Sequence, residues 1–218
     1  MMKDSQVRGL LVLVGFISAA IALQRIFTGS GDYFSVITRS AFNVTSIITT
    51  TGFASSDYSQ WGNFTICILF FAMFIGGCSG STSGGTKIFR LQLFLILFRE
   101  QLLRLVHPRL SASRKYNNQV VGSEVITALS AYIFILLSSL IVLSIGLALT
   151  DLDLVTSLTG AATALMNVGP GLGDVIGPAG NFSSLSDPAK WLLSVGMILG
   201  RLEFLTILIL LTPSYWRA

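Results

Sequence analysis

The chain has 218 residues, of which 52% are hydrophobic and 11% are charged, and its formal net charge is +4 at pH 7. Soluble domains carry about 25% charged residues, so this composition excludes an ordinary soluble protein and indicates an integral membrane protein. The basic residues are concentrated in one segment between apolar spans, so the positive net charge does not indicate nucleic-acid binding.

The first apolar span and a shorter helix after it open the chain. Residues 9–27 are long and apolar enough to cross a membrane. Asp32 is a candidate N-cap for a helix over residues 33–48. A helix of this length rises only about 24 Å, less than the apolar thickness of a bilayer. We therefore predict a re-entrant half-helix that ends at a turn over residues 49–53.

That turn, the first glycine turn, contains Thr50, Thr51, Gly52 and Phe53. Lipid cannot satisfy the N–H and C=O groups of irregular backbone, so the turn must be buried in protein or line a water-filled cavity. Gly52 can take a positive φ and aim its carbonyl at an axis, and the C-terminal end of a half-helix favours a cation. Rings of backbone carbonyls form cation filters, so we predict an ion filter, with a plain tight turn as the alternative.

A stretch of small residues interrupts the next apolar span after residues 64–75. Five of its ten residues are glycines and four carry hydroxyl groups; the glycine-rich loop consists of Gly76, Gly77, Cys78, Ser79, Gly80, Ser81, Thr82, Ser83, Gly84 and Gly85. Helix interiors disfavour this composition, so we predict one crossing broken near its middle, resuming over residues 86–98. Small residues also allow close helix packing, which is one interpretation of the loop.

Residues 99–118 form a basic connection between units at 1–98 and 119–218. It contains one acidic residue, Glu100, among basic ones, which are Arg99, Arg104, His107, Arg109, Arg114 and Lys115. An apolar stripe predicts that it lies along the membrane surface, where it would face anionic lipid or a partner. The positive-inside rule makes this side cytoplasmic.

The second unit repeats the order of the first. A crossing over residues 123–149 precedes a short helix over 154–166, and the second glycine turn then contains Asn167, Val168, Gly169, Pro170 and Gly171. A polar loop over 174–188 leads to a last crossing over 189–212. The predicted fold is therefore an all-α membrane protein with two crossing–re-entrant pore helix–crossing repeats and four crossings. Both glycine turns then enter from the outside, where aspartates would concentrate cations; these are Asp32, Asp57, Asp151, Asp153, Asp174 and Asp187.

Arg201 lies inside the last apolar span, and an ionisable residue there is a functional-site hypothesis by default. It cannot face Glu203, because residues two apart on a helix point to different sides. We expect it to contact carbonyls of the glycine-rich loop, with a structural ion pair as the alternative, and Glu203 to pair with a basic group such as Lys87. Cys67 and Cys78 lack metal-site spacing and are expected to be buried thiols.

Four motifs in the right order resemble the TrkH/KtrB potassium-uptake proteins: Thr50 to Phe53, Gly76 to Thr82, Asn167 to Gly171, and Gly200 to Glu203. The resemblance implies four repeats around one pore, a dimer in the bacterial inner membrane and a cytosolic nucleotide-binding regulatory ring. It also implies potassium coordination by backbone oxygens near Thr51, Gly52, Val168 and Gly169, and a gate formed by the loop and Arg201. Only the third and fourth repeats are matched, so the chain is expected to be a fragment, a truncated product or half of a split system. A missing half or a second copy would complete the pore.

The predicted function is potassium transport as a translocating subunit or half-subunit. Symport is among the expected properties, and coupling to Na⁺ or H⁺ is left open. The alternative is a non-conducting membrane scaffold or regulatory remnant that binds a partner. Potassium is the expected cargo, and no covalently bound cofactor or nucleic-acid partner is expected. An enzyme is not expected, because the sequence presents no metal-ligand cluster or nucleophile–base set.

Overall fold

A computed structural model describes residues 4–29, 31–107, 115–117, 119–202 and 216. This part of the chain is mostly helical, and its helices in chain order are α1 (Ser5–Phe27), α2 (Tyr33–Ile48), α3 (Asn63–Met73), α4 (Ile88–Val106), α5 (Ser123–Ala148), α6 (Leu154–Met166) and α7 (Asp187–Arg201). Short 3-10 turns lie at Tyr58–Trp61 and Phe182–Ser184. A small antiparallel hairpin pairs β1 (Lys115–Tyr116) with β2 (Gln119–Val120), an addition to the predicted all-α architecture.

The two short helices have the bounds expected from the sequence. A carboxylate oxygen of Asp32 accepts from the Ser35 N–H at 3.4 Å at the start of α2. Asp153 accepts from the Thr156 N–H at 3.1 Å at the start of α6. Because the first N–H groups of a helix have no intrahelical acceptor, these side chains fix where each helix begins.

The break around the glycine-rich loop is longer than expected, since α3 ends at Met73 and α4 begins at Ile88. The residues that flank the loop bond to each other instead of joining the helices. The N–H of Gly76 donates to the Thr86 carbonyl at 2.8 Å, and the N–H of Thr86 donates to the Phe74 carbonyl at 3.1 Å. The expected helix bounds at residues 75 and 86 are therefore each wrong by two positions.

Helix α4 continues without a break to Val106, so the expected change of segment after residue 98 falls inside a helix. Arg99 and Arg104 belong to this helix, and Arg104 forms an ion pair with the buried carboxylate of Glu100 at 2.6 Å. An i,i+4 pair of this kind supports continued helix. The rest of the basic connection at residues 108–114, with Arg109 and Arg114, lies outside the described residues.

Two of the described helices, α1 and α5, are long and apolar enough to cross a membrane. The predicted broken crossing is divided between α3 and α4. The predicted last crossing begins within α7, which is described to Arg201, and its remainder to residue 212 lies outside the described residues. Four crossings therefore remain a prediction.

Helix α6 lies at the centre of the packing, in contact with α5, α7 and α3. Ten of its thirteen residues are buried, and most are small, including Ala161, Ala162 and Ala164. Small side chains allow neighbouring helices to approach closely. Helix α2 packs on α1, and its last residues share one apolar core with the end of α6. The C-terminal ends of both half-helices are thus brought to the same place.

The expectation of two buried thiols is wrong. Cys67 is exposed, and Cys78 is half-buried in the glycine-rich loop. Thr65 and Leu69 are the buried residues on either side of Cys67 in α3. Residues two apart on a helix point to different sides, so Cys67 faces away from the core.

Candidate functional site

The two glycine turns meet each other. Gly52 has a φ of 79° and Gly169 a φ of 113°, as expected for backbone that only glycine adopts readily. A Cβ atom added to Gly52 would lie 2.6 Å from the carbonyl oxygen of Val168, and one added to Gly169 would lie 3.5 Å from the Cα of Gly52. The residues predicted to share a site are therefore adjacent, with no space for a side chain at Gly52.

The turns also share left-handed backbone at two positions in the register that aligns Gly52 with Gly169. Two residues before each glycine, Thr50 and Asn167 are left-handed, with φ values of 53° and 55°. Asparagine tolerates this conformation, but it is unusual for a β-branched residue. The left-handed threonine was not predicted from the sequence, and it marks the first glycine turn as a strained segment held by its surroundings.

The backbone hydrogen bonds of the two turns correspond as well. The N–H of Thr51 donates to the Ser46 carbonyl at 2.9 Å, and the N–H of Val168 donates to the Thr163 carbonyl at 3.1 Å. Each bond runs from the turn back into the last turn of its half-helix. The same local structure therefore ends α2 and α6.

A side-chain amide on α2 holds the residues that follow the first glycine turn, and sequence reasoning missed it. The side chain of Asn43 donates to the hydroxyl of Ser55 and accepts from its N–H, both at 3.0 Å. Asn43 is fully buried. A buried amide on an apolar helix is satisfied by a specific partner. The presence of an asparagine within the half-helix that precedes the turn was the available sequence signal.

Two threonines of α6 hold the second glycine turn in an analogous way, and these were also missed. The hydroxyl of Thr163 accepts from the Gly169 N–H at 3.0 Å. The hydroxyl of Thr159 accepts from the Leu172 N–H at 3.2 Å. Their spacing of four residues places both on one face of α6, which was a usable signal for the turn that follows.

The predicted filter residues differ in exposure. Val168 is 2% exposed, whereas Phe53 is 72% exposed. Thr51 and Gly169 are exposed as well, and Pro170 is half-buried, with its Cδ 3.4 Å from the position of a Cβ on Gly52. One side of the paired turns is thus packed in the core and the other is open.

The glycine-rich loop is an ordered structure with its own hydrogen bonds. The hydroxyl of Ser83 accepts from the Gly77 N–H at 3.0 Å. The ammonium of Lys87 donates to the Ser81 carbonyl at 2.9 Å and to the Ser83 carbonyl. A Cβ on Gly76 would lie 2.4 Å from the Gly84 carbonyl oxygen, so the two ends of the loop are in backbone contact.

Gly84 places this loop directly against both glycine turns. Its N–H donates to the hydroxyl of Thr50 in the first glycine turn at 2.9 Å. A Cβ on Gly84 would lie 2.2 Å from the carbonyl oxygen of Met166 and 2.9 Å from the Cβ of Asn167, at the second glycine turn. The loop therefore closes one end of the site that the turns form.

Helix α7 completes the contacts on that side. The Nη1 of Arg201 donates to the carbonyl oxygen of Thr82 at 2.6 Å, which is the contact with the glycine-rich loop expected from the sequence. The neighbouring Gly200 allows α7 to pack on α6, because a Cβ there would lie 1.9 Å from the Leu165 carbonyl oxygen. Glu203, the predicted partner of Lys87, lies outside the described residues.

A cavity of about 240 Å³ lies between the glycine-rich loop, α4, α5 and α7. Three cationic residues line it: Lys87, Arg90 and Arg201. The guanidinium of Arg90 lies 4.2 Å from the centre of the Tyr132 ring, a cation–π contact. The cavity therefore carries three positive charges close to the glycine-rich loop.

The chain was compared with known protein families and curated proteins. The family model of TrkH, described as a cation transport protein, matches residues 11–217. The chain is 49% identical over 217 residues to the Trk system potassium uptake protein TrkI of Halomonas elongata, covering 100% of this chain and 44% of that protein. It is 37% identical over 185 residues to the Trk system potassium uptake protein TrkH of Escherichia coli K12, covering 83% of this chain and 37% of that protein.

The fold is similar to a solved structure of the same class. The crystal structure of the potassium transporter TrkH from Vibrio parahaemolyticus superposes with a TM-score of 0.91 at 34% sequence identity. The match covers 99% of this chain and 46% of the solved chain. The chain thus spans less than half the length of the relatives it matches.

Proposed function

The chain belongs to the TrkH family of cation transport proteins, and we propose that it forms two of the repeats around a potassium-conducting pore. The observation that carries this proposal is the contact between the glycine turns at Gly52 and Gly169. Two segments far apart in the sequence repeat left-handed backbone at corresponding positions and meet at one place. Carbonyl-lined backbone of this kind replaces the hydration shell of an ion in cation channels.

In this proposal the ion binds to backbone oxygens near Thr51, Gly52, Val168 and Gly169. The two turns have similar backbone but different side chains, Thr50-Thr51 in one and Asn167-Val168 in the other. Because the side chains differ while the backbone is similar, the ligands common to both turns are backbone carbonyl oxygens. The half-helices α2 and α6 end at the turns, and their partially negative C-terminal ends favour a cation there.

The glycine-rich loop and Arg201 form the gate in this proposal. The loop covers the lower end of both turns through Gly84, and Arg201 holds the loop through Thr82. A cation that leaves the turns meets this backbone and the positive charge of Arg201. Conduction therefore requires the loop to move and the guanidinium to be displaced.

The basic residues of α4 indicate how the chain is oriented in the membrane. Arg99 and Arg104 near the end of α4 favour a cytoplasmic location for that end, which places the glycine turns toward the outside. Because the chain spans less than half of its relatives, two further repeats from a missing half or a second copy would complete the pore. Large apolar side chains such as Phe134 and Trp191, 73% and 74% exposed, fit contact with lipid or with those repeats. A homodimer and a cytosolic nucleotide-binding regulator are proposed from the family resemblance alone.

The alternative is a non-conducting scaffold or regulatory remnant that binds a partner. Potassium uptake in a transport-deficient cell separates the two. The chain is expressed alone and together with the first two repeats of a related transporter. We expect uptake when all four repeats are present; membrane insertion of both parts without any uptake would contradict the pore assignment.

A further inference from the structure

We propose that Thr50 couples the ion-binding turns to the gate, so that potassium in the turns stabilises the closed position of the glycine-rich loop. The proposal rests on the proposed function of the turns and the loop, and it assigns a regulatory role to one hydroxyl group. Its basis is the hydrogen bond from the Gly84 N–H to the Thr50 Oγ1, 2.9 Å long and formed across 34 positions of sequence.

Gly84 is in contact with both glycine turns at once. It donates to Thr50 of the first, and a Cβ on it would lie 2.2 Å from the Met166 carbonyl oxygen and 2.9 Å from the Asn167 Cβ, where the second begins. Backbone this closely packed cannot shift without changing its neighbours. A displacement of the loop at Gly84 therefore changes the positions of residues in both turns.

Thr50 is suited to sense the state of the first glycine turn because its backbone is strained. It is β-branched and left-handed, with a φ of 53°, a conformation that persists only where the surroundings impose it. An ion held by the neighbouring carbonyls restricts the turn and keeps the Thr50 hydroxyl in place to accept from Gly84. Without the ion the turn has more freedom, and the loop loses a fixed acceptor.

The equivalent residue of the second glycine turn forms an analogous link. The side-chain amide of Asn167, also left-handed, donates to the Met197 carbonyl of α7 at 3.2 Å. Arg201, which bonds the glycine-rich loop, lies one helical turn further along α7. The side chains of Thr50 and Asn167, at corresponding positions, thus each form a hydrogen bond from a glycine turn to a part of the proposed gate, the loop in one case and α7 in the other. Of the two links, the one through Thr50 is a direct bond to the loop.

Such a link is reciprocal by thermodynamic necessity. If closure of the loop strengthens potassium binding, potassium binding strengthens closure by the same factor. The net stabilisation from one neutral hydrogen bond corresponds to a factor of roughly two to ten. The effect of potassium on the loop should fall by this factor when the Thr50 hydroxyl is removed.

The experiment uses Cys78 of the glycine-rich loop as a reporter, in the membrane-embedded transporter that contains this chain. Cys67 is exposed and is replaced by serine to leave one reporter in the described part of the chain; any cysteines in the other repeats are replaced as well. The rate at which a maleimide labels Cys78 is measured in potassium and in sodium, for the parent and for T50V and T50S. Valine keeps the shape of threonine without the acceptor, and serine keeps the acceptor.

We expect potassium to slow labelling in the parent and in T50S, and to have about two- to tenfold less effect in T50V. If T50V does not fold, T50N is measured in its place. Asparagine favours the left-handed backbone and offers an acceptor, so potassium should still slow the labelling of Cys78 in T50N.

The outcomes separate the coupling from the pore. The coupling is overturned if potassium changes the labelling rate of Cys78 equally in the parent and in T50V. It is also overturned if the parent takes up potassium but its labelling rate is the same in potassium and in sodium. Where T50V is unfolded, loss of the potassium effect on labelling in T50N overturns the coupling. Absence of both potassium uptake and potassium-dependent labelling in the folded parent overturns the proposed function itself.

Discussion

The carbonyl oxygen of Val168 lies against Gly52, 2.6 Å from the position that a Cβ atom would take. The two residues are separated by more than half of the chain, and each belongs to a turn at the end of a half-helix. Their contact makes one site out of two local structures. It also means that a side chain on one turn would displace an oxygen of the other.

Replacing Gly52 with serine should weaken the preference for potassium over sodium. The positive φ costs a non-glycine residue about 1–2 kcal/mol, and the new Cβ displaces the Val168 carbonyl. Selectivity depends on the placement of such oxygens, and a loss of about 1.4 kcal/mol in discrimination would reduce the potassium-to-sodium ratio tenfold. The measurement is relative ion flux into liposomes that contain the assembled transporter.

Gly31 provides a matched control for this substitution. Its φ is 113°, and a Cβ there meets nothing within 4 Å. Gly31→Ser carries a similar backbone strain away from the glycine turns, so the flux ratio should not change. An unchanged ratio in Gly52→Ser would argue against the filter assignment.

Replacing Thr163 with valine should destabilise the second glycine turn. The buried hydroxyl of Thr163 accepts from the Gly169 N–H at 3.0 Å, and its loss leaves that donor without this acceptor at a cost of about 1–3 kcal/mol. Thermal unfolding of the purified transporter should occur at a lower temperature for Thr163→Val than for the Thr163→Ser control. Equal unfolding temperatures would show that the bond contributes nothing net.

Replacing Arg201 with glutamine should raise basal potassium flux. The change removes a positive charge near the proposed cation path and weakens the bond to the Thr82 carbonyl. A bond to a charged group contributes about 1.5–3 kcal/mol, so the increase should be about tenfold or more. Arg201→Lys keeps the charge and should stay closer to the parent; a flux unchanged by Arg201→Gln would contradict the gate role.

Replacing Gly84 with alanine should displace the glycine-rich loop from the glycine turns. The new Cβ would meet the Met166 carbonyl oxygen at 2.2 Å, and backbone atoms cannot rotate away. Basal flux in a liposome assay should therefore increase. Gly122→Ala is the control, since its φ is −70° and a Cβ there meets nothing within 4 Å; equal flux from the two variants would count against the role of Gly84 in closure.

Replacing Asp153 with alanine should lower stability by about 1 kcal/mol, the usual effect of removing an N-cap. Asp153→Asn keeps an acceptor and should be milder.

Hydrogen bonds from Thr156 lower the pKa of the Asp153 carboxyl, and the bond from the Thr156 side chain has the largest effect. Its stabilisation is therefore present above the unfolded pKa of about 4 and is lost as the pH falls through the lower folded value. Unfolding midpoints measured at neutral and acidic pH test both points; Asp153→Ala as stable as the parent at neutral pH would rule out the cap.

Features that depend on neighbours in the chain were readable from the sequence. The bounds of α2 and α6 follow from apolar periodicity and from the caps at Asp32 and Asp153. The positive φ of Gly52 and Gly169 follows from the need of each turn for a residue without a Cβ. The low charge content indicated a membrane protein before any contact was known.

Features that depend on distant residues were decided by the tertiary structure. The bond between Gly84 and Thr50, the left-handed state of Thr50 and the meeting of the two glycine turns have no periodic signal in the sequence. The ends of α3 and α4 were misplaced because Phe74 and Thr86 bond across the loop rather than along a helix. Local hydrogen bonds and caps are specified within a few residues, whereas the position of one turn against another is fixed only when all the helices pack together.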